Sequence, residues 1–422
     1  MNRRSRRIAP QRVGERAAVR RGGPRNRRAT PRTQPRSRRD ATVAVKSGPL
    51  DGGVVAAAAI LAVLGIVMVY STTAPLTIGR ALPPHFLKHL VSLALGLVAI
   101  AVALRVPLAV WRRAALPLWG LAIGLMLITG LFGPEVNGAR RWLIVPGLPL
   151  SFQPAEFAKW ATLLAVAAVL AGRSERKAPG WRPVPLCTAL AAPPIALLLL
   201  QPDLGNAAVL IALVGLLLFA ADTPLKRLAF PGALAVVGIG TYIGLRPYAL
   251  ARWRGFLEPW ERSHAEGFQL IQSFVAFGRG QTFGVGIGDG RQKLYYLPEA
   301  HTDFILSVVA EELGLFGVVL VLGAFAALII AGARIAARAR DPFALLTAFG
   351  MTTLICVPAA VNAAVVMGML PTTGFTLPFL SYGGTSLLMS ALAVGILLRV
   401  GAYEESSSGP AIADASRRLG RR

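Results

Sequence analysis

Runs of about 20 uncharged, apolar residues recur along this chain, and no other feature restricts its fold as strongly. An apolar helix of about 20 residues is long enough to cross the hydrocarbon core of a bilayer. The chain has 422 residues, of which 54% are hydrophobic and only 15% are charged, so it has too few polar side chains to cover a soluble fold. The sequence therefore predicts an all-α polytopic membrane protein.

We count ten such segments and expect each to form a transmembrane helix. They lie near residues 53–71, 87–106, 115–132, 154–171, 186–200, 206–221, 228–245, 304–333, 343–367 and 384–400. The longest connection joins the seventh helix to the eighth. The predicted organisation has three parts: a tail at residues 1–50, a ten-helix membrane domain at 51–401 with a large outer loop at 247–302, and a second tail at 402–422.

The distribution of basic residues predicts the orientation of these helices. Residues 1–46 hold 16 Lys or Arg and only two acidic residues, with almost no large apolar side chains. Such a segment cannot bury enough surface to fold alone, and we expect a disordered cytoplasmic tail. The even-numbered connections are short and mostly basic, which places them and both termini in the cytoplasm. The tail has no aromatic residues for stacking on bases, so a nucleic-acid partner is not expected.

Two connections on the opposite side break this charge pattern. The first carries Arg140 and Arg141 and leads to Lys159, and the long loop carries Arg252 and Lys293 among other basic residues. Cations held outside against the bias indicate a bound anion. Pairing with carboxylates in the same loops is the alternative explanation.

The motif "SFQPAEFAKW" predicts how the fourth helix begins. Pro154 suits a first helical turn, and the helix dipole favours an acid such as Glu156 there. Lys159 follows three residues later on the same face. The functional interpretation is an ammonium group directed at a ligand phosphate, and the alternative is a capped helix with one ion pair.

The stretch "HTDFILSVVAEELG" places Asp303 at the outer boundary of the eighth helix, which we expect to run on without interruption. Acids near hydrocarbon are costly and indicate function. Partial desolvation would raise the pKa of Asp303 and suit it to act as a general base, although a simple helix N-terminal acid is the alternative. We expect Glu311 and Glu312 to be structural, either paired or protonated. The preceding "FGVGIGDG" favours a mobile loop, or else a close backbone approach to a ligand.

Five motifs in order carry a resemblance to a known family. They are "VMVYS", "NGARRWL" with "QPAEFAK", "QPDLG", "GRQKLYYLPEAHTDFILSVVAEELG" and "GMLPTTGFTLPFLSYGGTS", spread over the whole membrane domain. The chain resembles the SEDS family (shape, elongation, division and sporulation) of peptidoglycan glycosyltransferases, and its division member more than its elongation member. One departure is that Pro358 stands where the family often has Gln, four residues before Asn362.

The resemblance implies polymerisation of lipid II, the undecaprenyl-diphosphate-linked disaccharide-pentapeptide, into β-1,4 glycan strands at the septum. It implies a bacterial inner-membrane location, a class B penicillin-binding protein as transpeptidase partner, and other division proteins. The family aspartate falls on Asp303, the candidate general base. The candidate contacts to the lipid diphosphate and sugar are Arg140, Arg141, Gln153, Glu156, Lys159, Arg252, Lys293 and Ser381. No metal cage is evident, so a divalent cation, Mg²⁺ or Mn²⁺, would come with the substrate.

Two other functions fit a chain of this kind. A lipid II flippase or other transporter would also have about ten helices with charges among them, but it should have a polar path through the bilayer, and the charges here gather outside. A non-catalytic scaffold of the division machinery would tolerate loss of the Asp303 carboxylate.

Overall fold

A computed structural model of the chain describes residues 48–76, 82–136, 138–144, 151–175 and 183–419, and most of these residues are helical. Most of the predicted N-terminal tail, residues 1–47, lies outside the described part. The helices are α1 Gly52–Thr73, α2 Pro84–Arg105, α3 Leu108–Phe132, α4 Pro154–Glu175, α5 Pro183–Leu200, α6 Leu204–Ala220, α7 Leu225–Leu245, α8 Pro247–Leu257, α9 Phe268–Gly280, α10 Ile305–Arg338, α11 Pro342–Val366 and α12 Gly384–Leu419. A small antiparallel hairpin pairs β1, Leu143–Ile144, with β2, Ser151–Phe152.

All ten predicted apolar segments are helical, which confirms the all-α polytopic fold. Within the described residues, eight helices are long and apolar enough to cross a membrane, and the shorter apolar helices Val184–Leu200 and Leu204–Ala220 supply the other two segments. The connection between the seventh and eighth predicted spans contains α8, α9 and a π-helical turn at Gln292–Tyr296. It therefore contains two helices of its own.

The helices differ in how much protein surrounds them. Most residues of α4 and α11, and of the Gly384–Tyr403 part of α12, are buried, so these three helices form the centre of the bundle. By contrast, no residue of α7 is buried. Since lipid is as apolar as these side chains, an exposed apolar helix of this kind is compatible with a bilayer but not with water.

The helix α10 is broken, where the sequence predicted one continuous helix. Gly314 has φ +66° and ψ −160°, outside the helical region, so residues 305–313 form a short helix separate from 315–338. A Cβ atom at Gly314 would lie 2.4 Å from the backbone nitrogen of Gly284. Only glycine permits both this conformation and this approach.

The "FGVGIGDG" segment packs into that break. Val285 N donates to Glu311 O at 3.0 Å, and Gly286 N donates to Glu312 O at 3.1 Å. The segment therefore satisfies carbonyl groups that the interrupted helix leaves without a helical partner. The structure shows a packed connection where the sequence favoured a mobile loop, and the close backbone approach is made to α10.

The two carboxylates beside the break are paired, as predicted. Glu311 accepts from Arg279 at 2.5 Å, and Glu312 accepts from Lys293 Nζ at 2.7 Å and from Ser71 Oγ at 2.8 Å. The Arg279 and Lys293 interactions join the long connection to α10, and the Ser71 hydrogen bond joins α1 to α10. They explain how two acids can lie fully buried at this depth.

Candidate functional site

A polar cavity of about 750 Å³ lies where the N-terminal ends of α2, α4, α6, α10 and α12 meet. Helix N-termini carry partial positive charge and unpaired N–H groups, so their convergence favours an anionic ligand. The charged side chains that line it are Lys88, Glu156, Arg141, Asp203, Arg252, Glu299 and Asp303. We call this space the polar cavity.

Asp303 lies in the turn directly before α10 and lines the polar cavity. Its side chain is half-buried. Desolvation by the surrounding protein, with a smaller contribution from the Glu299 charge, raises the pKa of Asp303 to about 7, against the opposing effect of Arg252. A carboxyl group that titrates near neutral pH is suited to accept a proton in a reaction at that pH.

The backbone around Asp303 is held by the segment before α12. Tyr382 N donates to His301 O at 2.9 Å, and Ser381 Oγ donates to Thr302 O at 2.5 Å. Ser381 is buried and does not line the polar cavity. The structure thus places this predicted substrate contact behind the Asp303 turn.

Of the two adjacent arginines in "NGARRWL", only Arg141 lines the polar cavity. Its Nε donates to Gln201 O at 2.9 Å, and Nη2 donates to Pro202 O. Arg140 is exposed and lies 3.9 Å from Glu135. The sequence named both arginines as candidate contacts, and the structure places only Arg141 at the cavity.

A second arginine reaches the polar cavity from α8. Arg252 donates to Thr372 O at 3.0 Å and stacks against the Tyr248 ring at 4.6 Å. Neither Arg141 nor Arg252 forms a salt bridge within the described residues. Both guanidinium groups therefore bind backbone carbonyl oxygens and stand at the cavity without a carboxylate in direct contact.

Lys159 lies below the cavity wall, at 1% exposure, and does not line the cavity itself. Its Nζ donates to Glu156 Oε1 and to Asn206 Oδ1, both at 2.7 Å. Asn206 in turn donates to Asp203 Oδ2 at 2.8 Å. The structure thus shows the ion pair with Glu156 that the sequence offered as the alternative, and it does not place Lys159 as an ammonium directed into the cavity. The pair extends into a chain of hydrogen bonds that links α4 to α6 behind two cavity-lining acids.

The other two predicted contacts fall in different places. Gln153 lines the polar cavity, and its backbone N–H donates to Thr385 Oγ1 at 3.0 Å. Lys293 does not line the cavity, because its ammonium group is buried against Glu312 and Ser71 near the α10 break. Lys293 was predicted to be one of the cations around the ligand because the sequence does not show which carboxylate pairs with it.

The residues predicted from the sequence did not include four acidic, basic or histidine side chains of the cavity. They are Lys88, Asp203, Glu299 and His301. Lys88 lies in the second turn of α2, and the argument that singled out Lys159 would have found it. His301 lies 5.4 Å from the His85 ring, and burial lowers the pKa of His301.

An apolar groove of about 690 Å³ adjoins the polar cavity. Its walls are mostly apolar residues of α6, α7, α8 and α11, such as Val209, Ile239 and Val361. The two spaces share the residues Arg141, Asp203, Tyr248, Arg252, Thr372, Thr373 and Phe375. Arg141 and Arg252 therefore lie where the apolar groove meets the polar cavity.

In the described part of the chain, no group of three or more His, Cys, Asp or Glu residues could hold a metal ion. Of the four acids of the cavity, Glu156 pairs with Lys159, and Asp203 caps α6 through Asn206. A divalent ion in this cavity would need ligands from a bound anion.

The fold and these spaces define a class of protein, a polytopic helical membrane protein with a cation-lined cavity beside an apolar groove. The profile of the FtsW, RodA and SpoVE cell cycle proteins matches residues 53–406. The chain belongs to this family, which is the SEDS family indicated by its motifs.

Individual relatives agree with that membership. A Halomonas elongata protein named "Probable peptidoglycan glycosyltransferase FtsW" is 40% identical over 364 residues, 83% of this chain and 90% of that protein. A protein of the same name from Trichlorobacter lovleyi is 42% identical over 346 residues, 80% and 89% of the two chains. These names support the resemblance to the division member.

Solved structures share the fold. One, described as "Structural coordination of polymerization and crosslinking by a peptidoglycan synthase complex", has a TM-score of 0.70 and 32% identity, covering 84% of this chain and 98% of that one. The rod shape determining protein RodA of Thermus thermophilus has a TM-score of 0.61 and 29% identity, covering 83% and 96%.

Proposed function

We propose that this protein is a peptidoglycan glycosyltransferase that polymerises lipid II, with Asp303 as the general base. The observation that carries the proposal is the junction of the polar cavity with the apolar groove at Arg141 and Arg252. A lipid diphosphate sugar has the same three parts in the same order: an apolar chain, a dianionic linker and a polar sugar. The names of the FtsW relatives point to the same activity.

In this proposal the polyprenyl chain of one substrate occupies the apolar groove. Its diphosphate lies against Arg141 and Arg252, whose guanidinium groups suit phosphate oxygens. The sugar then extends into the polar cavity toward Asp303. Lys88, which forms no salt bridge within the described residues, adds a third positive charge on the other side of the cavity.

The proposed reaction is an inverting glycosyl transfer. The 4-hydroxyl of GlcNAc in the incoming lipid II attacks C1 of the terminal MurNAc of the growing strand. Its proton passes to the Asp303 carboxylate as the new C1–O bond forms. The old bond from C1 to the diphosphate breaks, and undecaprenyl diphosphate leaves with its electron pair, stabilised by the nearby cations. Inversion converts the α-diphosphate linkage into a β-1,4 bond.

A divalent cation, Mg²⁺ or Mn²⁺, is proposed to share the charge of the diphosphate. Asp303 and Glu299 line the cavity, but no protein cage surrounds them among the described residues. The ion would therefore arrive with the substrate rather than as a resident cofactor.

The proposal also includes a partner and a location. A glycan strand needs a cross-linking enzyme, and the structurally similar chain described as part of a peptidoglycan synthase complex supports a transpeptidase of the class B penicillin-binding type. We place the polar cavity on the outer face of the bacterial inner membrane, both termini in the cytoplasm, and the complex with other division proteins at the septum. The basic connections on the opposite side support this orientation.

The experiment that tests this function uses the purified full chain in lipid with its cognate transpeptidase, lipid II and Mg²⁺ or Mn²⁺. Glycan polymer on a gel is the expected product, and it should increase when the partner is present. Transport of lipid II across vesicles without any polymer would favour a flippase. Partner binding with neither polymer nor transport would favour a scaffold.

Polymer formation is expected to rise with pH through about 7 and to level off above it. Asp303 accepts a proton only when ionised, and its pKa of about 7 sets the midpoint. A carboxyl group of ordinary pKa would already be fully ionised at pH 6. The pH dependence is measured as initial rates of polymer formation at saturating lipid II from pH 5.5 to 8.5. A rate that does not change over that range would contradict the assignment of Asp303 as the base.

Arg141 and Arg140 form a matched pair of neighbours with different expected effects. Arg141→Gln removes one charged contact to the diphosphate, so kcat/KM for lipid II should fall about 10- to 100-fold. For Arg140→Gln, kcat/KM should stay within about twofold of the wild type, because Arg140 is exposed outside the cavity and surface ion pairs contribute little. Equal losses in both variants would argue against Arg141 as the diphosphate contact.

A further inference from the structure

Three consecutive backbone carbonyls, those of His301, Thr302 and Asp303, each accept a hydrogen bond from outside the turn. The first two donors come from the segment before α12, Tyr382 N and Ser381 Oγ. The third is Asn362 Nδ2 of α11, at 2.6 Å from Asp303 O. The main chain that carries the Asp303 carboxylate is thus fixed from two other elements.

Asn362 makes a second bond that joins this turn to the cavity wall. Its amide nitrogen also donates to Phe375 O at 2.6 Å, so its two N–H groups hold two separate segments together. Both neighbours are carbonyl oxygens, which fixes the orientation of the amide. The side chain is buried, and its Oδ1 has no hydrogen-bond partner among the described residues.

The segment that Asn362 holds lies beside the Asp303 carboxylate. A Cβ atom at Gly374 would lie 3.4 Å from Asp303 Oδ2. Gly374 has φ +80°, a conformation that glycine adopts without strain. The position of residues 374–375 therefore decides how much water reaches the carboxylate on that side.

We infer that Asn362 is a positioning residue for the proposed reaction, with Ser381 in support: it fixes the Asp303 turn and the 374–375 segment together, and so sets both the place and the hydration of the Asp303 carboxylate. This inference rests on the proposed function for its activity readout. It assigns neither residue a contact with substrate. A buried polar bridge of this kind acts through geometry, and a shift of about 1 Å in a catalytic group can cost roughly 10²-fold in rate.

A change in the hydration of the Asp303 carboxylate should alter its pKa, and this effect distinguishes it from a general loss of stability. Burial is the main reason that the pKa of Asp303 is raised to about 7. Water entering beside the carboxylate would lower that pKa. The charged or titratable groups that line the cavity with Asp303 are Glu299 and His301 on its own turn, Arg252 and Tyr248 from α8, Lys88 from α2, Tyr382 before α12, Arg141 before β1, and Glu156 and Asp203 at α4 and α6. The Asn362 amide donates to Asp303 O and Phe375 O, so a variant at Asn362 removes none of these groups.

The test compares two variants with one control in the full chain. Asn362→Leu keeps the approximate size and removes both donors, and Ser381→Ala removes the donor to Thr302 O. Thr353→Val is the control, since Thr353 lies on the same helix and donates only to carbonyls of its own helix, Phe349 O and Gly350 O. Melting temperature and yield are recorded for each.

Two measurements are made on each variant. The first is the pH profile of polymer formation with lipid II and the partner transpeptidase. The second does not need activity: a hydrophobic carbodiimide, which labels protonated carboxyl groups, is applied from pH 5 to 9, and Asp303 labelling is followed by peptide mass spectrometry. Asp341, the N-cap of α11 at the other end of that helix, is the internal reference.

For Asn362→Leu we expect kcat to fall roughly 10- to 100-fold with little change in KM. The acidic limb of the profile and the midpoint of Asp303 labelling should both move to lower pH by about one unit or more, since hydration favours the charged form. Ser381→Ala should shift both in the same direction by less. Thr353→Val should match the wild type.

Either of two outcomes would overturn the inference: wild-type activity in Asn362→Leu, or lost activity with an unshifted labelling midpoint, which would mean a structural role only. Failure of the proposed function looks different. If the wild type makes no polymer, that function is wrong, while the labelling midpoints still decide whether Asn362 sets the environment of Asp303.

Discussion

Replacing Asp303 by Asn is expected to reduce polymer formation from lipid II by roughly 10²–10⁴-fold, the range found when a general base is removed. The amide has the size of the carboxylate but cannot accept the hydroxyl proton. The backbone of Asp303 is held through its carbonyl, so its contact with Asn362 should survive the change. Polymer is measured with the partner present, at pH 8, where the wild-type carboxylate is ionised.

Asp289→Asn is the control for this variant. Asp289 is an exposed carboxylate in the same long connection and does not line the polar cavity. Its loss should leave polymer yield unchanged. If the Asp303→Asn variant kept a near wild-type polymer yield, Asp303 would not be the base. If the wild-type protein inserted and bound its partner but made no polymer, a scaffold function would be supported instead.

The second large effect is expected for Lys159→Met, which should lower activity about 10²-fold or more and also lower stability. Breaking a buried ion pair costs roughly 3–5 kcal/mol because one charge remains without its partner. Here Glu156 would lose its ammonium partner, and Asn206 would lose the donor to its Oδ1. Both lie on the cavity wall, so the ligand would meet an added negative charge.

A double variant separates structure from function at this position. Lys159→Met combined with Glu156→Gln removes both charges, and stability should recover in part. If polymer formation recovered equally, the pair would be structural alone. Persistent loss of activity in the stable double variant is the expected result. Lys226→Met, at an exposed lysine early in α7, should change neither quantity.

The order and position of the ten apolar helices could be predicted from the sequence because lipid imposes a simple rule. A segment must be apolar over about 20 residues to span a bilayer, and this is a local property of the chain. The start of α4 was predictable for a similar reason, since Pro154, Glu156 and Lys159 interact within one and a half helical turns.

The break in α10 had no such local signal. Glycine within an apolar run is compatible with a continuous helix, and Gly314 departs from helix geometry where Gly284, thirty residues earlier, packs against it. The "FGVGIGDG" segment likewise has a stable place only because α10 offers it free carbonyl groups. Each half of this arrangement depends on the other, so neither could be inferred alone.

The sequence by itself determined a polytopic helical membrane protein, its motifs and the set of charged residues from which a site could be built. The tertiary structure decided which of those residues line the polar cavity. Arg141, Arg252 and Lys88 line it, whereas Arg140 and Lys293 do not. Ser381 and Lys159 lie behind the cavity wall. The physical reason is that the partner of a charge is chosen by distance in space, and residues such as Lys293 and Ser71 are brought together only when the helices pack.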